Sequence, residues 1–228
     1  MKNTPNNPIQ FAVLATDVVI LTVRDNELFA RYITANCPPH FEGMAGLPGG
    51  LLRADETAEE AARRHVQDKA CIDSKKLYFE QLYTFSELKR DPRGRVVSVA
   101  YIAIVPWESL SPEEQKDTEN AWWGRAVSNN KLAYDHNKII SMAVRRLRSR
   151  ITYTTLISKI ILPQFTLTEL EHQFESVLGK DIDKRNFRKK ILKLDIIKPL
   201  NVKRTGLRHR PASLYGFRSK DVHEIEVL

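Results

Sequence analysis

The first half of the chain alternates between dense apolar runs and polar breaks. From Phe11 to Thr34 the residues are β-branched and apolar, as in AVLATDVVILTV, and Asp25-Asn26 supplies a turn. This predicts two long strands joined as a hairpin. A loop with Pro38 and Pro39 spans Ala35 to Ala45. Glu56 to Ala70 has helical composition, with Ala58, Ala61, Ala62 and Val66 spaced for one buried face. Leu77 to Phe85 and Val96 to Val105 read as strands, separated by the turn chemistry of Asp91-Pro92-Arg93-Gly94-Arg95. Asp135 is placed to cap a helix from His136 to about Arg150, with Ile139, Ile140, Met142, Ala143 and Leu147 as its apolar face.

The pattern then changes. Ile151 to Leu162 reads as an apolar helix. Thr166-Leu-Thr-Glu169 is a capping box opening a helix with Leu167, Leu170, Phe174 and Val177 on one side, and Gly179 terminates it. Asp183 can cap the next helix, KRNFRKKILKLD. There Phe187, Ile191 and Leu194 share a face, while Arg185 and Lys189 lie roughly opposite with Arg188 at the flank. IIKPLNV and SLYGF follow as two strands around the basic turn KRTGLRHRPA. Helix, helix, turn, helix and a two-stranded wing predict a winged helix-turn-helix. The junction falls near Arg150, dividing the chain into residues 1–150 and 151–228.

Composition narrows the class. The 228 residues are 42% hydrophobic and 28% charged, ordinary for a soluble globular protein. No run has the roughly 18 to 20 apolar residues of a membrane span. The start, MKNTPNNPIQ, lacks the apolar core of a signal peptide, and two cysteines make no disulfide framework, so a cytoplasmic protein is expected. Charge is distributed unevenly. Of the net +8, the stretch from Ile151 onward holds 15 Lys+Arg against 9 Asp+Glu. Between Lys184 and Arg210 stand 11 basic residues and one acid, Asp195. Such a block attracts polyanions, although a solvated charged face has the same composition. Recognition helices read bases mainly with their N-terminal residues. Lys184, Arg185, Asn186, Arg188 and Lys189 are therefore the candidate DNA-contacting residues, with Lys203, Arg204, Arg208, His209 and Arg210 in the wing. No aromatic stripe suited to stacking single-stranded bases stands out, which ranks an RNA-binding module below duplex DNA.

Candidate chemistry lies in GLPGGLLRADETAEEAARRHVQDKACI, Gly46 to Ile72. Gly50, Glu56 and Arg64 stand in the register G-x5-E-x7-R, with Val66 and Ile72 at apolar positions further on. The stretch resembles the Nudix box, G-x5-E-x7-R-E-U-x-E-E-x-G-U with U apolar. In active Nudix hydrolases the acids after the Arg lie one, four and five positions on, sharing a helical face that binds the Mg²⁺ ions activating water on a diphosphate. Here those positions are His65, Asp68 and Lys69, and the box glycine is Cys71. Mg²⁺ wants oxygen ligands; His65 is a poor substitute, and Lys69 adds a positive charge. The expectation is no catalytic residue and no bound metal.

Further segments carry the resemblance through the chain. FEQLYTF, RDPRGRVVSVAY, LAYDHNKII, RLRSRITY and FTLTELEHQFESVLGKDIDKRNFRKKIL look like the Nudix-related transcriptional regulators of the NrtR type. The resemblance implies an α/β Nudix fold, a mixed β-sheet sandwiched by helices, followed by a C-terminal winged helix-turn-helix domain. It also implies ADP-ribose or a related NAD metabolite as effector and no other cofactor. A homodimer on palindromic double-stranded operator DNA, repressing NAD biosynthesis or salvage genes, completes the expectation. The alternative is a metal-dependent ADP-ribose pyrophosphatase with an accessory nucleic-acid-binding domain.

Carried over by position, Gly49 and Gly50 would let backbone approach a diphosphate, and Glu56 and Arg64 match box positions. Lys69, and Arg53, Arg93 and Arg95 in flanking turns, are candidate phosphate or ribose partners. Each has a bland reading: Glu56 favours the helix dipole, Arg64 pairs with a carboxylate, Lys69 is solvated, and turn arginines aid solubility. Trp122 and Trp123 are expected in the core, and His136 at a capped helix start.

Overall fold

The computed structural model describes residues 11–204 and 212–225. The strands are β1 (Val13–Arg24), β2 (Glu27–Thr34), β3 (Ala45–Gly46), β4 (Gly49–Leu51), β5 (Tyr78–Phe85), β6 (Val96–Ile104) and β7 (Ala121–Arg125), all in one mixed sheet. Asp25 and Asn26 join β1 to β2 with φ of 51° and 61°, the left-handed pair that a two-residue hairpin turn needs. β1 runs parallel to β6 from Val13 opposite Val96 to Leu21 opposite Ile104. Its other edge is shared: Ala15 to Asp17 pair with β4, and Leu21 to Arg24 pair with β2. The neighbours diverge between these two pairings, which opens the sheet beside Asp17.

Strand alternation sends side chains to opposite faces. Val18 and Ile20 join a cluster with Ala62, Val66 and Ala70 of the box helix. Val19 and Leu21 face the other way, onto Ile139, Ala143 and Leu147. These last belong to α3 (His136–Arg150), whose bounds are as predicted. Fully burying one such Ile or Leu contributes about 1.5–3 kcal/mol.

The box helix differs from the continuous Glu56–Ala70 element expected. α1 covers Ala58–His65, opened by a capping box between Thr57 and Glu60. The chain then widens into a π-helical turn, Val66–Ala70, ending at Cys71 with φ 56°. A left-handed residue with a Cβ costs about 1–2 kcal/mol, which explains why the box pattern carries glycine there.

Asp135 stands at the start of α3 but makes no capping hydrogen bond; its carboxylate is committed to Arg90. The short α2 (Pro112–Gln115) precedes β7.

Beyond α3, the apolar helix expected over Ile151–Leu162 is absent. A turn leads into a 3-10 segment, Thr155–Lys159, started by Thr154, whose hydroxyl accepts from Leu156 N. Ile151, Leu156, Ile157, Ile160 and Ile161 all enter the core, but Thr155 N donates to His223 O and Tyr153 O accepts from Ile225 N, and this pairing takes the backbone out of a helix. α4 (Leu167–Leu178), α5 (Lys184–Lys193), β8 (Ile197–Arg204) and β9 (Ala212–Phe217) then form the predicted helices and wing. Thr166 caps α4, Gly179 closes it at φ 68°, and Asp183 caps α5 by accepting from Asn186 N at 2.7 Å.

The two halves share one core. Phe165, Leu170, Phe174 and Val177 join the same cluster as Val19, Leu21 and Leu147. The basic end of α3 works inside this joint. Arg148 Nε donates to Val177 O at 2.9 Å, and Arg150 Nη1 donates to Glu80 Oε1 at 2.6 Å.

Candidate functional site

Where β1 parts from its neighbours there is a cavity of about 630 Å³, within the range of small-molecule sites. Its walls are the β4 turn (Gly49, Gly50), the π-helical turn and its end (Asp68, Lys69, Cys71), the loop carrying Arg90, Asp91 and Arg93, and Tyr134 with His136.

Its base is a buried ionic network. Arg90 donates through Nη2 to Asp17 Oδ2 at 2.9 Å, and through Nε and Nη2 to the Asp135 carboxylate at 3.0 and 2.7 Å. Ser98 Oγ donates to Asp17 Oδ2 at 2.6 Å, and His136 Nε2 lies 3.2 Å from Asp17 Oδ1. Leu47 N donates to His136 Nδ1 at 2.9 Å, which leaves the ring proton on Nε2, facing Asp17. Burial by itself would raise the Asp17 carboxyl. His136, Arg90 and the Ser98 hydroxyl overcome that and hold it well below its ordinary range.

Lys69 brings a cation to the rim. Its Nζ donates to Gly49 O. Burial lowers its pKa, Asp17 works against the fall and Arg64 adds to it. His65 is buried, and burial, then Lys69 and Arg64, push its pKa down, so it contributes no charge near neutrality. The ring packs on Gly50, where an added Cβ would stand 2.7 Å from His65 Cε1. At Gly49 a Cβ would collide with Asp17 Oδ1 and the Thr16 carbonyl, closer than real Cβ atoms come. Gly49→Ala must therefore displace β1 backbone. The expected outcome is a loss of about 1–3 kcal/mol of stability, read as a lowered melting temperature; an unchanged melting curve would show that β4 moves away freely.

Of the residues singled out from the sequence, Gly49, Gly50, Lys69 and Arg93 line the cavity. Arg93 does so while its Nε and Nη2 hold Asp91 at 3.0 and 2.7 Å. Four others do not line it. Arg64 grips Glu56, with Nε to Oε2 at 2.8 Å, and Glu56 also accepts from Arg53 N at 2.8 Å. The Arg64 hydrogen bond, then the Arg53 amide, lower the Glu56 pKa to about 2. Glu56 and Arg64 thus brace the loop before α1, and neither they nor Arg53 lines the cavity. Arg95 caps Ser86 and Glu87 carbonyls across its hairpin. Trp123 is buried in the core and Trp122 packs on Tyr32.

Asp17, Arg90, Asp135 and Tyr134 are site residues that the sequence reading missed. Asp17 sits inside an apolar strand run, a signal that such an acid has a buried partner. Nothing in the local sequence identifies that partner, because Arg90 lies 73 positions away.

The residues present do not fit a divalent ion. Two of the three box carboxylates are replaced by a buried neutral ring and an ammonium group, and Glu56 is held by Arg64. Among the described residues, the three-ligand cluster found is Glu171, His172 and Glu175, on α4.

On the second half, Lys184, Arg185, Asn186, Arg188 and Lys189 are all exposed on α5, while Phe187 and Ile191 are buried. The helix therefore turns its apolar face inward and presents cations outward, as DNA recognition needs. Of the wing residues, Lys203 and Arg204 belong to β8, whereas Arg208, His209 and Arg210 lie outside the described residues.

Comparison with known proteins gives this architecture a place. Residues 13–142 match the NUDIX domain model, and residues 159–217 match the NrtR DNA-binding winged helix domain. The ADPR responsive transcriptional repressor NtrR of Acinetobacter baylyi is 30% identical over 212 residues, 92% of this chain and 83% of that one. Shewanella oneidensis NrtR complexed with a 27mer DNA superposes with a TM-score of 0.78 at 32% identity, covering 90% of this chain and 93% of that one. Its isolated NUDIX domain complexed with ADP ribose gives 0.52 at 29% identity, over 63% of this chain and 94% of that one. An ADP-ribose pyrophosphatase of Methanocaldococcus jannaschii is 34% identical over 105 residues, 46% of this chain and 60% of that protein. With its Nudix domain and winged helix in this order, the chain belongs to the NrtR family of transcriptional regulators.

Proposed function

We propose that this chain is a DNA-binding transcriptional repressor of NAD metabolism genes whose Nudix domain senses ADP-ribose without hydrolysing it. The observation that carries this is Lys69, an ammonium group standing where a hydrolase places a metal-binding carboxylate, at the rim of a cavity of about 630 Å³. Lys69 and Arg93 supply positive charge to a diphosphate, and the Gly49-Gly50 backbone allows it to approach. The buried carboxylates carry their own partners, so no metal is required to neutralise them.

Ligand occupancy reaches the DNA-binding half through α3. Its first residue, His136, lines the cavity, and Arg148 near its end bonds the last turn of α4. The boundary between the units is placed at the end of this helix. In a homodimer acting in the cytoplasm on a palindromic operator, a small rotation of α3 changes the separation of the two α5 helices. They then no longer match half-sites about one DNA turn apart. A gel-shift titration on a palindromic operator duplex tests the coupling. Saturating ADP-ribose is expected to weaken DNA binding at least tenfold, and an unchanged affinity refutes the gating. A parallel incubation with Mg²⁺ or Mn²⁺ is expected to release no AMP; robust release would restore the hydrolase reading.

A further inference from the structure

The exposed polar residues of α5 are not equivalent. Two of them converge on Glu171 of α4, which is 0% exposed. Lys184 Nζ lies 3.1 Å from Glu171 Oε1, and Arg188 Nε lies 3.3 Å from Glu171 Oε2. Arg188 Nη2 also donates to Thr168 Oγ1 at 3.0 Å. The register is regular on both helices: Lys184 and Arg188 are four apart, and Thr168 and Glu171 are three apart, so each pair shares a face.

A fully buried carboxylate is costly unless cations compensate it. Helix packing does not require one here. Phe174 and Phe187 already join α4 to α5, edge to face at 5.1 Å between ring centroids, and Leu170, Val177 and Ile191 lie in the same core. What Glu171 does that an apolar residue would not is attract the heads of Lys184 and Arg188 as an ion pair, without a hydrogen bond to either. The same pairing disfavours a metal at the Glu171, His172 and Glu175 cluster, because two cations already occupy its buried acid.

Arg188 is the more constrained of the two. The Nη2 hydrogen bond to Thr168 and the Glu171 carboxylate 3.3 Å from Nε restrain its guanidinium, on a side chain that is still 44% exposed, and the Glu171 contact is one of charge, because neither of its oxygens accepts a hydrogen bond. A fixed planar fork suits the edge of a guanine, whereas a loose cation settles on phosphates, which carry no sequence information. Among the described residues, Arg185, Asn186 and Lys189 have no comparable anchor, and the Asp183 side chain accepts from the Asn186 backbone.

We propose that Glu171 is a positioning residue for operator recognition: it orients Arg188, and with it Lys184, for sequence readout instead of phosphate contact. This rests on the reading that the winged helix binds duplex DNA. The test uses the full chain and a duplex that it selects from a randomised pool, compared with a shuffled duplex over a salt series. If the wild-type chain selects no duplex, the DNA-binding reading itself fails. Given a selected duplex, Glu171→Gln is expected to reduce the selected-over-shuffled affinity ratio at least tenfold. For the shuffled duplex, the slope of log K against log salt is expected to steepen by about 1, the increment of one new phosphate contact. A loss shared equally by both duplexes, with an unchanged slope and a lowered melting temperature, would mark Glu171 as structural only and overturn the proposal. Should Glu171→Gln fail to fold, Arg188→Lys decides. It keeps the charge but not the fork, so the ratio is expected to fall with the slope unchanged; a fully retained ratio overturns the proposal.

Discussion

Lys69→Met is expected to weaken ADP-ribose binding by about 10- to 100-fold, measured by calorimetry. A hydrogen bond to a charged group is worth about 1.5–3 kcal/mol, and 1.4 kcal/mol is a factor of ten. Met matches the length of the Lys stem, so the change isolates the ammonium group. Wild-type affinity is expected to be equal in Mg²⁺ and in EDTA, because the positive charge belongs to the chain. The pH dependence has a definite sign. The phosphate-binding form is the protonated one, and burial lowers the Lys69 pKa. Affinity is therefore full below that lowered value and declines as the pH rises through it; Lys69→Met removes this decline. A variant that binds within twofold of wild type, or a wild type that needs Mg²⁺, would refute the assignment.

Arg90→Met is expected to destabilise the protein by about 3–5 kcal/mol, because it leaves buried acids without their cation. Asp17 and Asp135 are both almost fully buried and both depend on Arg90. Thermal melts give the measurement, and adding Asp17→Asn to the Arg90 variant should recover part of the loss by removing one stranded charge. The network also fixes an acid limit. The folded-state pKa of Asp17 lies below its ordinary value of 3.8. Its contribution is therefore fully present above that value and is lost as the pH falls from there toward the folded-state value. Asp17→Asn should flatten the acid limb of a stability-against-pH curve. Equal acid slopes in the two proteins would show that other carboxylates dominate that limb.

Much of the fold was legible because its signals are local. The Asp25-Asn26 turn, the Thr166–Glu169 capping box, Gly179 and Asp183 act within four residues of their own backbone, and each does what the sequence implies. The failures came where tertiary contacts outweigh local preference. Ile151 to Leu162 is apolar enough for a buried helix, but the backbone at Tyr153 and Thr155 pairs with Ile225 and His223, and the chain makes a turn and a 3-10 segment instead. Asp135 was placed correctly as the residue before α3, but its carboxylate turned to Arg90 and not to the helix amides.

The candidate site divides along the same line. Gly49, Gly50 and Lys69 were visible from box spacing, because a helix with a glycine turn before it determines which positions face the turn. Glu56, Arg64 and Arg95 share the composition of binding residues, yet short-range partners within the loop and hairpin engage their side chains, and Arg53 gives its backbone N–H to Glu56. Asp17, Arg90, Asp135 and His136 come together only when β1, the loop after β5 and the start of α3 are packed. The sequence by itself determined the order of the two domains, the presence of His65 and Lys69 at two box positions and the basic face of α5, since each is read along the chain without its tertiary partners. Only the tertiary structure decided which charges are free and which are neutralised. Pairing depends on distances between segments tens of residues apart, and burial makes an unpaired charge there too costly to persist.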